Sequence, residues 1–148
     1  MESNLKIKIV KNLNELIKVF IVRGIVFIEE QNVSYSIEKD EHELESQHIL
    51  AEMNNEPIGA GRIRYIEDYA KLERIAVRKN YRGNGYGHRI VDFMMQTARK
   101  NGFCKFKMHA QAHLIDFYAE HGFETRGEKF KEADIDHYLM IKEETKSN

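Results

Sequence analysis

The sequence predicts a single mixed α/β domain of 148 residues, with a central sheet covered by helices on both faces. One observation is a strand, a glycine-rich turn and a helix that follow one another between Leu72 and Asn101. Another is a set of short alternating apolar and polar stretches on either side of this unit, which are typical of strands. Because a strand-helix-strand crossover makes parallel neighbours, whereas short turns make antiparallel ones, the sheet should contain both kinds of pairing.

Composition narrows the class of protein. Hydrophobic residues make up 42% of the chain and charged residues 32%, and the formal net charge is -1. That balance argues against a general nucleic-acid or anionic-membrane binder. Cys104 is the single cysteine, the start of the chain does not resemble a signal peptide, and no apolar run approaches the roughly 20 residues that span a bilayer. We therefore expect a cytoplasmic protein without nucleic-acid or membrane partners.

The alternating patterns give an order of elements. Asn12 and Glu15 form a capping-box-like pair before the first helix, whose apolar stripe is predicted to face the core. That stripe consists of Leu13, Leu16, Ile17, Phe20, Ile21, Gly24, Phe27 and Ile28. Predicted strands cover residues 5–10, 48–53, 58–65, 69–77, 103–110 and 137–141. Further helices are predicted from near His88 to Gly102 and over 114–121, and the polar tail 142–148 is predicted to be frayed.

The segment 29–46 is acidic and has no clear period. One interpretation is a solvated loop with a short helix. The other is an acidic rim beside a cleft, which would raise the local concentration of a cationic amine.

The turn Arg82-Gly83-Asn84-Gly85-Tyr86-Gly87 is typical of an anion cradle. Glycines expose backbone N–H groups, and the start of the following helix adds partial positive charge. The loop lacks the Gly-Lys end of a Walker A loop and the Gly-x-Gly-x-x-Gly spacing of a dinucleotide fingerprint. A plain glycine-rich turn is the remaining alternative.

The Arg-x-x-Gly-x-Gly pattern, after a strand that ends in Ile-Ala-Val, resembles the pyrophosphate-binding motif of the GNAT superfamily of acyl-CoA-dependent N-acetyltransferases. The element order from about Leu5 to Ile141 also resembles the GNAT fold. This resemblance implies that the loop holds the pyrophosphate of acetyl-CoA and that the preceding strand pairs with the pantetheine arm. The implied cofactor-binding residues are Ile75, Ala76, Val77, Arg82, Gly83, Asn84, Gly85, Tyr86, Gly87, His88 and Tyr118.

Further segments resemble the ElaA-like branch of the superfamily. They are Phe27-Ile28-Glu29-Glu30-Gln31-Asn32-Val33, His109-Ala110-Gln111-Ala112-His113-Leu114, and Glu132 with Ile135-Asp136-His137. That branch commonly has proline where this chain has Asp136. The pair Phe117-Tyr118, followed by Gly122-Phe123, implies that Tyr118 protonates the departing CoA thiolate, which suits a phenol that is protonated at neutral pH. The alternative is a tyrosine that only packs between helix and sheet.

The general base is left open among Glu73, His109 and His137. Glu73 lies on the strand beside the expected thioester, but it is equally suited to pairing with Arg62, Arg64 or Arg74. A neutral imidazole is a suitable base near pH 7. The histidine spacings do not match a zinc site, so we predict no metal. Cys104 is predicted to be a small core residue, which favours direct transfer over an acyl-enzyme.

The sequence therefore predicts an acetyl-CoA-dependent N-acetyltransferase that acts on a primary amine of a small molecule or peptide in a ternary complex. An alternative is a non-catalytic acyl-CoA-binding or regulatory domain. A third interpretation is a nucleotide-binding domain. Exposed sheet edges make a homodimer an additional expectation.

Overall fold

In a computed structural model that describes residues 4–145, the chain forms one seven-stranded sheet. The strands are β1 (Leu5–Ile9), β2 (Gln47–Met53), β3 (Glu56–Ile66), β4 (Tyr69–Val77), β5 (Lys105–Gln111), β6 (Glu124–Glu132) and β7 (Ile135–Glu143). The helices are α1 (Leu13–Arg23), α2 (Tyr35–Glu38), α3 (Tyr86–Lys100) and α4 (Ile115–Ala119). A π-helical turn, Gly24–Glu30, continues α1, and 3-10 turns cover Lys79–Tyr81 and Ala112–Leu114.

The sheet is mixed, as predicted. Its order is β1-β2-β3-β4-β5-β7-β6, and β4 pairs with β5 in parallel while the other neighbours are antiparallel. Helix α3 buries Ile90, Met94 and Ala98 against one face. Helix α1 buries Val19 and Val22 against the other face. The predicted layers, with helices on both faces of the sheet, are therefore confirmed. Strands β1 and β6 form the sheet edges, and the homodimer that such edges suggest stays a prediction.

Strand β6 was not predicted from the sequence, and the predicted start of the polar tail was wrong. Nearly all of β6 is exposed and polar, so it lacks the apolar alternation that identifies a half-buried strand. Lys142 and Glu143 belong to β7, and Arg99 pairs with Glu144 through two hydrogen bonds of 2.6 and 2.8 Å. The remainder of the predicted tail, 146–148, lies outside the described residues.

The apolar stripe predicted for α1 was wrong in part. The Asn12 cap is present, since its side chain accepts the Glu15 N–H at 2.9 Å. However, Leu13, Ile17 and Ile21 are 71%, 47% and 46% exposed. The buried side consists of Val19, Val22, Arg23 and Val26. Phe20 and Phe27 of the predicted stripe are partly buried and pack against the same core cluster.

Strands β4 and β5 separate along their length, and this separation creates the site. They pair only through Tyr69–Lys105, Ala70–Phe106 and Lys71–Lys107, although both strands continue. Past that point Arg74 adopts a positive φ of 54°, which is uncommon outside glycine, and the β3–β4 register shifts. Such an irregularity bends a strand. The end of β4 therefore diverges from β5 and leaves a cleft between them.

Candidate active site

A cavity of about 540 Å³ lies between the end of β4, the glycine-rich loop and the start of α3. We call it the donor cavity. Every residue predicted to bind the cofactor lines it, except Asn84. The Asn84 amide instead donates to the carbonyls of Tyr81 and Arg82, at 3.2 and 3.4 Å, and so holds the loop in shape.

The geometry of the loop is compatible with the predicted anion cradle. Gly83 and Gly85 have φ values of 84° and 79°, a left-handed conformation that favours glycine. At Gly87, a Cβ atom would lie 3.1 Å from the Phe117 ring, so a larger residue would require this ring to shift by a few tenths of an ångström. The first N–H groups of α3 have no partner within the helix and are directed out of its N-terminus, beside the donor cavity.

The Arg82 side chain binds a carboxylate of the chain itself. Its guanidinium donates to both carboxylate oxygens of Glu30, at 2.7 and 2.8 Å, and its Nε donates to the Val77 carbonyl at 2.8 Å. A planar fork of this kind binds phosphate in the same manner as carboxylate. The Glu30–Arg82 pair therefore connects the π-helical turn to the loop across the donor cavity.

A second cavity, of about 390 Å³, lies on the other side of the cleft and is called the acceptor cavity here. Its polar lining includes Glu73, His109, Glu132 and His137. Both cavities are lined by Phe27, Gln31, Ile75, Gln111, Leu114 and Tyr118. These shared residues form the junction through which a group can pass from one cavity to the other.

Tyr118 lies at this junction and is 6% exposed. Its ring meets Phe117 and Phe123 edge to face, with centroids 5.0 and 6.4 Å apart. Burial raises the pKa of the Tyr118 phenol well above its ordinary value. The hydroxyl is therefore protonated at neutral pH and can donate a hydrogen bond to an anion that forms beside it, while the raised pKa makes it a weaker acid than an exposed phenol.

Glu73 belongs to a buried ion network. It accepts hydrogen bonds from Arg62 at 2.7 Å and Arg64 at 2.8 Å, and Lys71 lies 3.1 Å away. Burial by itself would raise the pKa of Glu73, but these cations lower it to about 2. A carboxylate with so low a pKa is a poor proton acceptor near neutrality. The geometry therefore favours the ion-pairing role over the role of base.

The same network shows that segment 29–46, which contains the predicted short helix as α2, is only partly solvated. Arg23, which is 1% exposed, donates to Glu38 at 2.8 Å and to Glu43 at 2.6 and 2.8 Å. Arg62, fully buried, extends the network to Asp40 at 2.8 Å. Part of the acidic segment is thus folded inward to neutralise arginines, while the exposed Glu41 lines the acceptor cavity.

The two candidate histidines share one carboxylate. His109 Nδ1 lies 3.0 Å from Glu132, and His137 Nε2 lies 3.8 Å from the other oxygen of the same carboxylate. Since a carboxylate only accepts, His109 carries its proton on Nδ1, and its Nε2 has a free lone pair when the ring is neutral. His137 Nδ1 donates to the Ile135 carbonyl at 2.6 Å. This arrangement resembles a base held by an orienting acid.

Several residues of the site were not assigned a role from the sequence. Glu132 and the paired amides of Gln31 and Gln111 lie in the segments that resemble the ElaA-like branch, which was the available signal. Their convergence depends on residues 80 positions apart and could not be read from spacing. Among residues 4–145, no three His, Cys, Asp or Glu side chains group as a metal site requires. Cys104 is partly exposed just before β5 and lines neither cavity.

Comparison with known proteins agrees with this architecture. The crystal structure of Escherichia coli ElaA has a TM-score of 0.86 at 26% identity, over 94% of this chain and 99% of that chain. The crystal structure of a GNAT family acetyltransferase from Elizabethkingia anophelis with acetyl-CoA bound has a TM-score of 0.65 at 16% identity, over 95% and 96% of the two chains. The latter likeness concerns the fold alone. The former confirms the resemblance to ElaA.

Sequence relatives place the chain in the same family. The Bacillus subtilis protein called "Uncharacterized N-acetyltransferase YjcF" is 41% identical over 140 residues, which cover 94% of this chain and 100% of the relative. The family model described as an Acetyltransferase (GNAT) domain matches residues 20–144. No helix within residues 4–145 is long and apolar enough to cross a membrane. The chain belongs to the GNAT family of acetyltransferases.

Proposed function

We propose that this protein transfers an acetyl group from acetyl-CoA directly to a primary amine of a small molecule or peptide. The observation that carries the proposal is the junction at Ile75 and Tyr118, where a cavity beside a phosphate-type loop meets a cavity lined by candidate bases. Family membership and the acetyl-CoA complex of the Elizabethkingia neighbour support acetyl-CoA as the donor.

The donor is held by the loop and by β4 in this proposal. Backbone N–H groups from Arg82 to His88 bind the pyrophosphate, and the Arg82 fork exchanges Glu30 for phosphate. The pantetheine arm pairs with Ile75–Val77, whose edge is free because β4 has separated from β5. This pairing places the thioester at the junction beside Tyr118.

The chemistry then needs a neutral amine and a proton for the thiolate. His109, held by Glu132, removes a proton from the ammonium form of the acceptor. The amine attacks the thioester carbonyl, a backbone N–H near Ile75 stabilises the oxyanion, and the C–N bond forms as the C–S bond breaks. Tyr118 donates its proton to the departing thiolate, the second proton that the amide nitrogen loses restores the phenol, and protonated His109 releases its proton to solvent. Cys104 lies outside both cavities, which supports direct transfer without an acyl-enzyme.

The acceptor cavity has room for a small molecule or a chain end, and its mixed lining includes the exposed Glu41 and Glu132. Carboxylates at its rim support an acceptor that arrives as an ammonium ion. We also propose a cytoplasmic location, since a single cysteine permits no intrachain disulfide.

Thermal unfolding with and without millimolar acetyl-CoA tests the donor. A ligand at about 100 times its Kd adds about 2.7 kcal/mol, which raises the Tm of a domain of this size by several degrees. Arg82→Ala should reduce the shift, whereas Lys100→Ala, an exposed residue at the opposite end of α3, should leave it unchanged. A shift with ATP but not with acetyl-CoA would establish the nucleotide-binding alternative instead.

Thiol release in the presence of an amine library tests catalysis. We expect one or more amines to accelerate release of CoA above the rate of hydrolysis. Tight acetyl-CoA binding without acceleration by a broad amine library would support the non-catalytic, regulatory alternative and contradict the proposal.

A further inference from the structure

A side-chain bridge crosses the junction between the two cavities. The Gln111 amide donates to the Gln31 carbonyl oxygen at 3.0 Å, and the Gln31 amide donates to the Gln111 carbonyl oxygen at 3.3 Å. Both residues are partly buried and line both cavities. Because each amide both donates and accepts, the two side chains form a closed pair from opposite walls of the cleft.

Both ends of the bridge are anchored. Gln31 ends the π-helical turn, where its backbone N–H donates to the Val26 carbonyl at 3.1 Å, and its neighbour Glu30 is held by Arg82. Gln111 is the last residue of β5 and lies in register with His137 of β7. The distance between the two amides is thus fixed by the helix on one side and the sheet on the other.

We propose that the Gln31–Gln111 bridge limits the length of the acyl group that the enzyme accepts. The inference rests on the proposed function, which places the thioester beside Ile75, one of the residues that share the junction with the bridge. An acetyl group ends before the bridge. A longer acyl chain reaches the amides and must separate them, which removes two hydrogen bonds and leaves partly buried polar groups beside methylene carbons.

Of the other four residues of the junction, Tyr118 is assigned to the thiolate in the proposed function and three are apolar. Phe27, Ile75 and Leu114 are apolar and would gain from contact with additional methylene groups. Discrimination against longer chains therefore depends on the paired amides. One hydrogen bond contributes a factor of about 3 to 10 to an equilibrium constant, so two should disfavour butyryl-CoA by about tenfold or more relative to acetyl-CoA.

Calorimetric binding of CoA, acetyl-CoA and butyryl-CoA tests the bridge. We expect the ratio of the butyryl-CoA Kd to the acetyl-CoA Kd to fall about tenfold in Gln31→Ala and in Gln111→Ala. The double variant should change the ratio little further, since either single change already breaks the same pair. Gln96→Ala, on the exposed side of α3, is the matched control and should keep the wild-type ratio.

Gln111→Asn gives a second route to the same result, because it keeps an amide but shortens the side chain, and it serves if the alanine variants unfold. Equal weakening of acetyl-CoA and butyryl-CoA binding in the variants would contradict the proposed role of the bridge. Additive effects of the two single changes on the Kd ratio would contradict it as well. If the wild-type protein binds acetyl-CoA and butyryl-CoA equally well, the bridge has no role in selection although the proposed function stands. If the wild-type protein binds neither thioester, the proposed function fails and the inference fails with it.

Discussion

Substitution of the buried Arg62 tests how much the ion network beside the acceptor cavity stabilises the fold. Its guanidinium donates to Asp40, Glu43 and Glu73 at distances between 2.7 and 3.1 Å, and it is fully buried. Arg62→Met keeps much of the side-chain volume but removes the charge and the donors. Three carboxylates then share fewer cations in a region with little water.

The expected loss of stability is worked out from the pKa values of the carboxyl groups and from the cost of breaking a buried ion pair. The pKa of Glu73 falls from 4.5 to about 2, and that of Glu43 falls likewise, although burial opposes both shifts. A shift of this size corresponds to about 3 kcal/mol of stability for one carboxyl group, and Arg62 shares it with Arg64 and Lys71 at Glu73 and with Arg23 at Glu43. Removing one partner of a buried pair costs about 3–5 kcal/mol, so we expect Arg62→Met to lower the free energy of unfolding by that amount at pH 7.

The stabilisation that Arg62 provides depends on pH, and the depressed pKa values determine the direction of this dependence. Because the folded pKa values are depressed, the stabilisation is complete above about pH 4.5 and is lost as the pH falls towards 2. Protonated carboxyl groups are neutral, so they no longer form ion pairs with Arg62. The difference in stability between wild type and Arg62→Met should therefore be largest at neutral pH and should shrink steadily over this acidic interval.

Urea unfolding followed by far-UV circular dichroism measures this difference, since the chain has no tryptophan. Arg99→Met is the control, because Arg99 pairs with Glu144 at the surface and should contribute less than about 1 kcal/mol. A loss for Arg62→Met no larger than that of Arg99→Met would refute the reasoning. So would a loss that is the same at pH 3 and pH 7.

Other substitutions probe the chemistry and the packing. Tyr118→Phe should lower kcat by about 10²-fold or more while acetyl-CoA affinity is unchanged. An unaltered kcat would exclude Tyr118 as the general acid. His109→Ala should lower kcat/KM about 10²-fold near pH 7, with a loss that shrinks as the pH approaches the amine pKa of about 10; a pH-independent loss contradicts the role of base. Gly59→Ala, whose Cβ would lie 2.6 Å from Ile90 Cδ1 and 3.1 Å from the Ala76 carbonyl oxygen, should destabilise the fold by about 1–3 kcal/mol. Gly24→Ala, in open space, should stabilise it by about 0.5–1 kcal/mol in the same unfolding assay, and the opposite order would contradict the packing.

Local patterns were sufficient to predict most of the architecture. The alternation in β5, the apolar side of α3 and the glycines at 83, 85 and 87 each depend on residues close together in the chain. Such patterns predict periodicity, turn geometry and a parallel crossover, because these are local properties of the backbone. They failed for β6, where edge exposure removes the apolar signal, and for the side of α1 that is buried.

The sequence by itself determined the fold class, the glycine-rich loop and a short set of candidate bases. Only the tertiary structure separated Glu73 from His109, because the three cations around Glu73 come from different positions in β3 and β4 and lower its pKa. It alone brought Gln31 to Gln111 and Glu132 to His109, across 80 and 23 residues of chain. Proton affinity and cavity shape depend on distances between remote side chains, and a sequence pattern does not contain those distances.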